Sequence, residues 1–276
     1  MRIPPTILTL LAGMALVLAG LWVGQNVNLL PVDASANAPV YDELFKVLFS
    51  IGTILFIGIV GLILYSLMRF RRRPGELGDG LAIEGNLPLE ILWTAIPAVV
   101  VLFVGIYSYD IYDRMGGMTP LNDHSMHGMQ AEERTWGGIS PVSFEEGEGV
   151  PPLTVDVTAM QFAFIFHYPN SDITTGELHV PVGQPVALQM KALDVIHAFW
   201  VPQFRLKQDV IPGQPTLLSF TPTRTGSYPI VCAELCGPYH GGMRSTVIVE
   251  EPETFADWVA HNSPNAPAEP TATVQS

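Results

Sequence analysis

Cysteine is nearly absent: the 276-residue chain has two, Cys232 and Cys236. Neither stands in a Cys-x-x-Cys-His run, which excludes a covalently attached c-type haem. Charge is also scarce, at 14% of residues, while 48% are hydrophobic and mean hydropathy is positive, at +0.32. A water-soluble chain seldom looks like this, so the composition points to a membrane protein. Basic residues are few, 13 against 26 acidic. From residue 115 onward 17 acidic residues face 6 basic ones, so this part carries −11 of the net −13. Such a region repels nucleic acid and attracts basic partners. No internal repeat is present, so an array of repeated units is excluded.

Two segments contain no charged side chain, residues 47–68 and 91–109. A membrane-crossing helix needs about 20 such residues. Pro97, near the start of the second segment, is tolerated in a span that packs against neighbours. A third apolar stretch covers residues 6–24, after Arg2 and before Ala34-Ser35-Ala36. It fits either a secretory signal with a small-residue cleavage site or a third spanning helix. Arg69, Arg71, Arg72 and Arg73 directly follow the 47–68 segment. Positive charge in short loops stays in the cytoplasm. The loop 69–88 is therefore expected inside, and everything after about Asp113 outside.

The expected domains are residues 1–36, signal or extra helix; 40–113, a transmembrane helical hairpin; 114–150, a Gly-rich, acidic linker; 151–262, a β domain; and 263–276, a disordered tail. Within the β domain, β-branched and aromatic runs alternate with Pro and Gly. They predict strands over Leu153–Thr158, Phe162–Tyr168, Pro185–Met190, Thr216–Thr221, Ser227–Val231 and Arg244–Val249. This spacing suggests a sandwich or barrel. Glu253–His261 is predicted as a short closing helix.

Both cysteines lie in Val231-Cys232-Ala233-Glu234-Leu235-Cys236-Gly237-Pro238-Tyr239-His240-Gly241-Gly242-Met243. A further imidazole, His197, lies upstream in Asp194-Val195-Ile196-His197. A disulfide accounts for the cysteines but gives His197, His240 and Met243 no reason to be near. Zinc accounts for two Cys and two His but would not use the methionine. Two thiolates, two imidazoles and a thioether together suit copper. Gly241-Gly242 is expected to fold the loop back and bring in Met243. Ile196, Phe199 and Trp200 are expected to wall His197 in apolar surroundings.

Cys232, Glu234, Cys236, His240 and Met243, with His197, resemble the dinuclear copper (CuA) motif of cytochrome c oxidase subunit II. The resemblance runs from about residue 40 to 260. It includes Phe204-Arg205-Leu206-Lys207-Gln208-Asp209 and Glu90-Ile91-Leu92-Trp93-Thr94-Ala95-Ile96-Pro97. It implies a transmembrane hairpin, with or without the extra N-terminal helix, followed by an all-β cupredoxin-like Greek-key barrel. The implied copper ligands are His197, Cys232, the Glu234 backbone carbonyl, Cys236, His240 and Met243, with both sulfurs bridging. The Glu234 carboxylate would share a magnesium ion with subunit I.

The implied activity is that of a proton-translocating oxidoreductase. Electrons would come from a soluble carrier, cytochrome c or plastocyanin, and pass to haem in subunit I. Subunits I and III and membrane lipid are the implied partners, with no nucleic acid. The copper domain would face the periplasm or the thylakoid lumen. Glu90 matches a family glutamate at the entrance of a proton-uptake route. In Gln161–Tyr168, Phe162 and Phe164 stand where the family usually has tryptophans, so Phe162 is the candidate point at which electrons enter; Phe164 and Phe166 read as core. The loop wording resembles members from oxygenic phototrophic bacteria. A quinol oxidase subunit would lack the copper ligands present here. Met115, Met118, His124, Met126, His127 and Met129 resemble loops that carry copper in exported copper-handling proteins. They keep open an alternative, a membrane-tethered copper chaperone or assembly factor.

Overall fold

Residues 4–72, 74, 75, 78, 85–115 and 151–264 are described by the computed structural model. The linker histidines, and every linker methionine except Met115, lie outside these residues, as do most of the predicted C-terminal tail and Arg73. The chain divides into two compact units, residues 1–30 with 42–111, and residues 31–41 with 112–276.

The first unit is helical. Its helices are α1 (Pro5–Asn26), α2 (Ala38–Arg69) and α3 (Leu87–Arg114). All three are long and apolar enough to cross a membrane. A helix of 32 residues is about 48 Å long at 1.5 Å per residue, beyond the ~30 Å of hydrocarbon. That explains why α2 extends past the uncharged 47–68 run to take in Asp42, Glu43 and Lys46. The helices present apolar side chains outward, among them Leu62, Phe56 and Leu102. In lipid that costs nothing, and a helix pairs the backbone groups of its interior with one another.

α1 meets α2 through Gly20-Leu21-Trp22-Val23-Gly24, a small-xxx-small face that lets two backbones approach. A Cβ on Gly20 would fall 2.2 Å from Ile54 Cγ1, and one on Gly24 1.8 Å from Ser50 Oγ and 2.9 Å from the Lys46 carbonyl. The Ser50 hydroxyl stays paired by donating to the Lys46 carbonyl at 2.8 Å.

The second unit holds two five-stranded sheets. One has the order β3-β2-β1-β5-β8, with β1 Leu153–Met160, β2 Ala163–Tyr168, β3 Ile173–Thr175, β5 Val186–Ala192 and β8 Thr216–Phe220. The other has the order β4-β10-β9-β6-β7, with β4 Leu178–Pro181, β6 His197–Val201, β7 Leu206–Val210, β9 Gly226–Cys232 and β10 Arg244–Glu250. Pairs β1–β5 and β4–β10 are parallel, and the other ladders are antiparallel. Alternate residues face inward, as the strand period requires. Val155, Val157, Phe164, Phe166, Leu188, Phe199, Ile230 and Val247 form one core shared by both sheets. Phe164 and Phe166 are core residues, as the sequence suggested.

The sequence missed β3, β4 and β7, and expected a further strand to bring His197, which is β6, without giving its bounds. β3 and β4 are only 3 and 4 residues long, and every residue of β4 is buried, so neither offers an alternating pattern. Helix α4 (Pro252–Asn262) closes the unit. Trp258 stacks on His179 at 4.1 Å and meets Tyr168 edge-on at 5.3 Å. The Tyr168 hydroxyl donates to the His179 carbonyl and accepts from its N–H, both at 2.7 Å. Burial pushes this phenol well above its ordinary range.

Residues 31–41 belong to this β unit, although the sequence grouped residues 31–36 with the N-terminal apolar stretch. Ala34 and Ala36 N–H donate to the Gln203 and Thr221 carbonyls, and Thr223 N–H donates to the Ala34 carbonyl, each at 3.0 Å. Buried Ser35 donates to the Phe204 carbonyl at 2.8 Å. The small side chains that fit a cleavage pattern equally let this strap lie flush on the sandwich.

Candidate metal centre

Three neighbouring strands assemble the site. On β9 the inward residues are Tyr228, Ile230 and Cys232, so the alternation ends on a thiol. β6 pairs with β9 with Phe199 opposite Cys232. His197 is two residues from Phe199 on the same face, at the end of β6 from which the 233–243 loop departs. β10 starts at Arg244 opposite Val231, and the Cys232 N–H donates to the Met243 carbonyl at 3.2 Å. The ladder thus fixes His197, Cys232 and Met243, which are all buried.

The loop supplies the rest. Its sharp bend is at Gly237, with φ at +140°, a conformation that side chains disfavour. A Cβ there would also fall 2.8 Å from Gln161 Nε2 and 3.2 Å from the Phe162 ring. The sequence assigned the return to Gly241-Gly242. The chain does fold back there, through one 3₁₀ turn over His240–Gly242 that leads into Met243, but neither glycine has a positive φ. Gln161 clamps the loop by donating from Nε2 to the Cys236 carbonyl at 2.6 Å.

The donor atoms cluster around the two sulfurs. Cys232 Sγ and Cys236 Sγ are 3.8 Å apart and the thiols are free, too far apart for a disulfide. His197 Nδ1 is 3.9 Å from Cys232 Sγ, and His240 Nδ1 is 3.5 Å from Cys236 Sγ. The Glu234 carbonyl oxygen is 3.4 Å from Cys232 Sγ, and Met243 Sδ is 3.8 Å from Cys236 Sγ. The one ligand atom each of His197, Cys232 and Cys236 lie within 4.8 Å of one another. Each sulfur therefore has one imidazole nitrogen and one weak donor beside it. This donor set fits two soft metal ions sharing both sulfurs. Burial, followed by the neighbouring Cys232 thiol, pushes the Cys236 thiol up to about 11. Metal must therefore displace a proton to bind.

Asp194 carries a positioning role that the sequence reading did not assign. Its carboxylate accepts from His197 Nε2 at 2.8 Å and from the Gln161 and Val195 N–H groups, both at 2.7 Å. Desolvation would raise this carboxyl, but these hydrogen bonds, led by His197, outweigh it and hold it below its ordinary value. A carboxylate only accepts, so the His197 proton sits on Nε2 and the Nδ1 lone pair is left for the metal. The Asp-x-x-His spacing is the sequence signal that could have revealed this pair.

The expected dry wall around His197 needs correction. Phe199 is buried and meets Phe164 edge-on at 5.9 Å, but Ile196 and Trp200 are exposed, at 44% and 38%. Trp200 follows Phe199 and so points to the opposite face, and Ile196 precedes the strand. Phe162 lies in the β1–β2 turn, half-buried, with its ring centroid 5.5 Å from that of Tyr239. The Glu234 residue is half-buried. Glu90 lies in the other unit. Its carboxylate accepts from the Asn86 N–H at 3.2 Å, and the Asn86 side chain accepts from the Leu89 N–H, so the two cap α3.

The chain matches the family described as cytochrome C oxidase subunit II, transmembrane domain, over residues 20–111. It matches the periplasmic domain of the same subunit over residues 166–251. It is 50% identical to cytochrome c oxidase subunit 2 of Thermostichus vulcanus, over 97% of this chain and 88% of that one. It is 46% identical to the protein of the same name from Synechocystis, over 99% and 87%. Among solved structures it is similar to the periplasmic domain of subunit II of cytochrome oxidase of Bradyrhizobium japonicum, 32% identical over 40% of this chain and 92% of that one, with a TM-score of 0.39.

Proposed function

Because the chain belongs to the cytochrome c oxidase subunit II family, we propose that His197, Cys232, the Glu234 carbonyl, Cys236, His240 and Met243 hold the dinuclear copper centre of that family. The protein is the electron-accepting subunit of a respiratory haem–copper oxidase, working with the other oxidase subunits and a soluble donor. It is a multi-pass membrane protein with its copper domain on the exported side. The single observation that carries the ligand assignment is the donor cluster, two sulfurs 3.8 Å apart with an imidazole nitrogen beside each.

When bound, the copper pair supplies a one-electron acceptor whose charge is shared between two metals. The chain prepares the place for it. Cys232 and Cys236 would hold it as thiolates, their protons passing to water. Asp194 holds the His197 ring with Nδ1 facing the sulfurs. Gln161 fixes the Cys236 carbonyl, and the ladder bond to Cys232 fixes Met243. Phe164 and Phe199 keep water from the inner side, which restrains reorganisation.

The finer partners follow from the family. Subunit I receives the electron, and subunit III completes the complex. Cytochrome c or plastocyanin donates. The Glu234 carboxylate helps hold magnesium with subunit I. Glu90 stands at the entrance of a proton-uptake route, supported by its place in the first turn of α3, which follows the 69–88 loop that the charge pattern assigns to the cytoplasm. Glu90→Gln in the assembled oxidase is expected to slow proton uptake and leave the copper spectrum unchanged; equal uptake would remove this role. The copper assignment is tested by loading the full chain in detergent and recording metal content with optical and spin-resonance spectra. Two coppers per chain and a purple mixed-valence spectrum are expected. A blue single-copper product would overturn the assignment.

A further inference from the structure

The two sheets contribute unequally to the metal centre. Every proposed ligand lies on β6, on β9 or in the loop that joins β9 to β10, all belonging to one sheet. The ladder holds His197, Cys232 and Met243, but Cys236 and His240 stand in the loop. There the N–H groups of His240, Gly242 and Met243 donate to the Gly237, Tyr239 and His240 carbonyls, so these bonds close on the loop itself. Among the described residues, one hydrogen bond reaches Glu234–His240 from outside residues 232–243, the 2.6 Å bond from Gln161 Nε2 to the Cys236 carbonyl. Gln161 lies in the turn between β1 and β2, in the sheet that supplies no proposed ligand. The same turn grips the segment before His197. The Leu193 N–H donates to the Ala159 carbonyl at 3.1 Å, and the Gln161 N–H donates to Asp194 Oδ2 at 2.7 Å. That carboxylate accepts from His197 Nε2. The Gln161 side chain is exposed, and an exposed glutamine gives up rotamer freedom to make such a bond. Gly237 leaves room for it, since a Cβ there would fall 2.8 Å from Nε2.

We propose that Gln161 is a positioning residue for the metal pair, one residue of the opposite sheet that ties the two halves of the donor cluster together. This rests on the copper reading above. Through Asp194 it reaches the half with His197 and Cys232. Through its side-chain amide it reaches the half with Cys236 and His240. The bond to Asp194 fixes the main chain of Gln161, so the amide starts from a set point and holds the Cys236 carbonyl at a set place. The Cys236 sulfur is then kept near Cys232 before any metal arrives, and the loop cannot swing outward and admit water to that sulfur. Outer partners of this kind orient the ligands and tune the metal although they touch neither metal nor substrate.

The test uses the full chain in detergent and compares Gln161→Met with Gln184→Met. The first keeps the side-chain length and the N–H to Asp194 but has no amide. The second removes the same kind of bond, Nε2 to the Pro151 carbonyl at 3.0 Å, outside the ligand segments. Gln161→Met is expected to bind copper about 10–100-fold more weakly in competition with a chelator, the usual cost of losing an outer partner. Its reduction potential should fall, because water near the Cys236 sulfur favours the oxidised, more positive pair. Neither quantity should change in Gln184→Met. In the metal-free chain, hydrogen exchange at the His240, Gly242 and Met243 N–H groups should quicken in Gln161→Met, and by less where Asp194→Ala has already removed the anchor. Copper affinity or loop exchange equal to wild type in Gln161→Met would overturn the assignment. So would an equal loss of copper in Gln184→Met, which would mean that any lost amide bond loosens the site. Failure of the wild type to take up two coppers with a mixed-valence spectrum would instead overturn the copper reading, while the exchange of the metal-free loop is read without it.

Discussion

The two units treat the same side chains in opposite ways. In the helical unit, leucines, isoleucines and phenylalanines cover the outside; Leu62, Phe56 and Leu102 are all more than half exposed. In residues 151–264 such residues form the core, and their exposure is confined to the segments around His197 and residues 232–243. An exposed apolar residue thus has two meanings. On α1–α3 it marks the surrounding solvent as lipid. On the β domain it marks a surface suited to contact with another protein. The comparison can be broken from either side.

The strongest attack is on the metal end itself. Cys232→Ser and Cys236→Ser each remove one of the two sulfurs proposed to bridge the coppers. Each is expected to abolish the mixed-valence signal completely, because a hydroxyl does not replace a bridging thiolate to copper. Metal analysis of the purified variants, together with spin resonance, checks it. A variant that keeps two coppers and the signal would show that the sulfurs do not bridge.

The next pair sets core against lipid face. Phe199→Ala opens a cavity under the site and is expected to cost about 3–5 kcal/mol, read as the denaturation midpoint of the exported domain. Leu62→Ala on α2 removes a side chain of which 68% is exposed, and is expected to cost less than about 0.5 kcal/mol in detergent. Similar losses would mean that the outward face of α2 is packed against protein. Between these in size stands Gly24→Leu. Its side chain would collide with Ser50 and the Lys46 carbonyl, so α1 is expected to leave α2. Loss of disulfide cross-linking between a Leu16→Cys and Gly58→Cys pair would report it, since a Cβ at position 58 lies 3.3 Å from the Leu16 side chain.

The sequence revealed features that rest on composition or on a local run. Both uncharged segments became helices, and the six predicted strands and the closing helix are all present within a few residues of their expected ends. The proposed ligand residues stood out because few roles other than metal binding explain two thiols, two imidazoles and a thioether together. Long-range pairings were not legible. The clamp from Gln161 to the Cys236 carbonyl joins residues 75 apart in sequence, and the contact of Ser35 with Phe204 joins residues 169 apart. Local pattern carries no trace of either. Trp200 was misread for a different reason. An aromatic next to a ligand looks like lining, and only the strand phase shows that it faces away.

The smallest effect expected is at the strap, where neither lipid nor a donor acts. Ser35 is 1% exposed and its hydroxyl donates to the Phe204 carbonyl. That carbonyl belongs to the turn before Arg205, which has φ at +57° and directs the chain into β7. Ser35→Ala removes the donor and leaves a buried carbonyl without this hydroxyl, a loss of about 1 kcal/mol. The main-chain bonds of Ala34 and Ala36 to Gln203 and Thr221 do not depend on the hydroxyl and should survive. The denaturation midpoint of the exported domain should therefore fall slightly, while copper spectra and donor affinity stay unchanged, because the strap contributes no copper ligand and no donor contact. A change in either would show that the turn before β7 transmits strain to His197 through the β6–β7 ladder, in which His197 pairs with Val210.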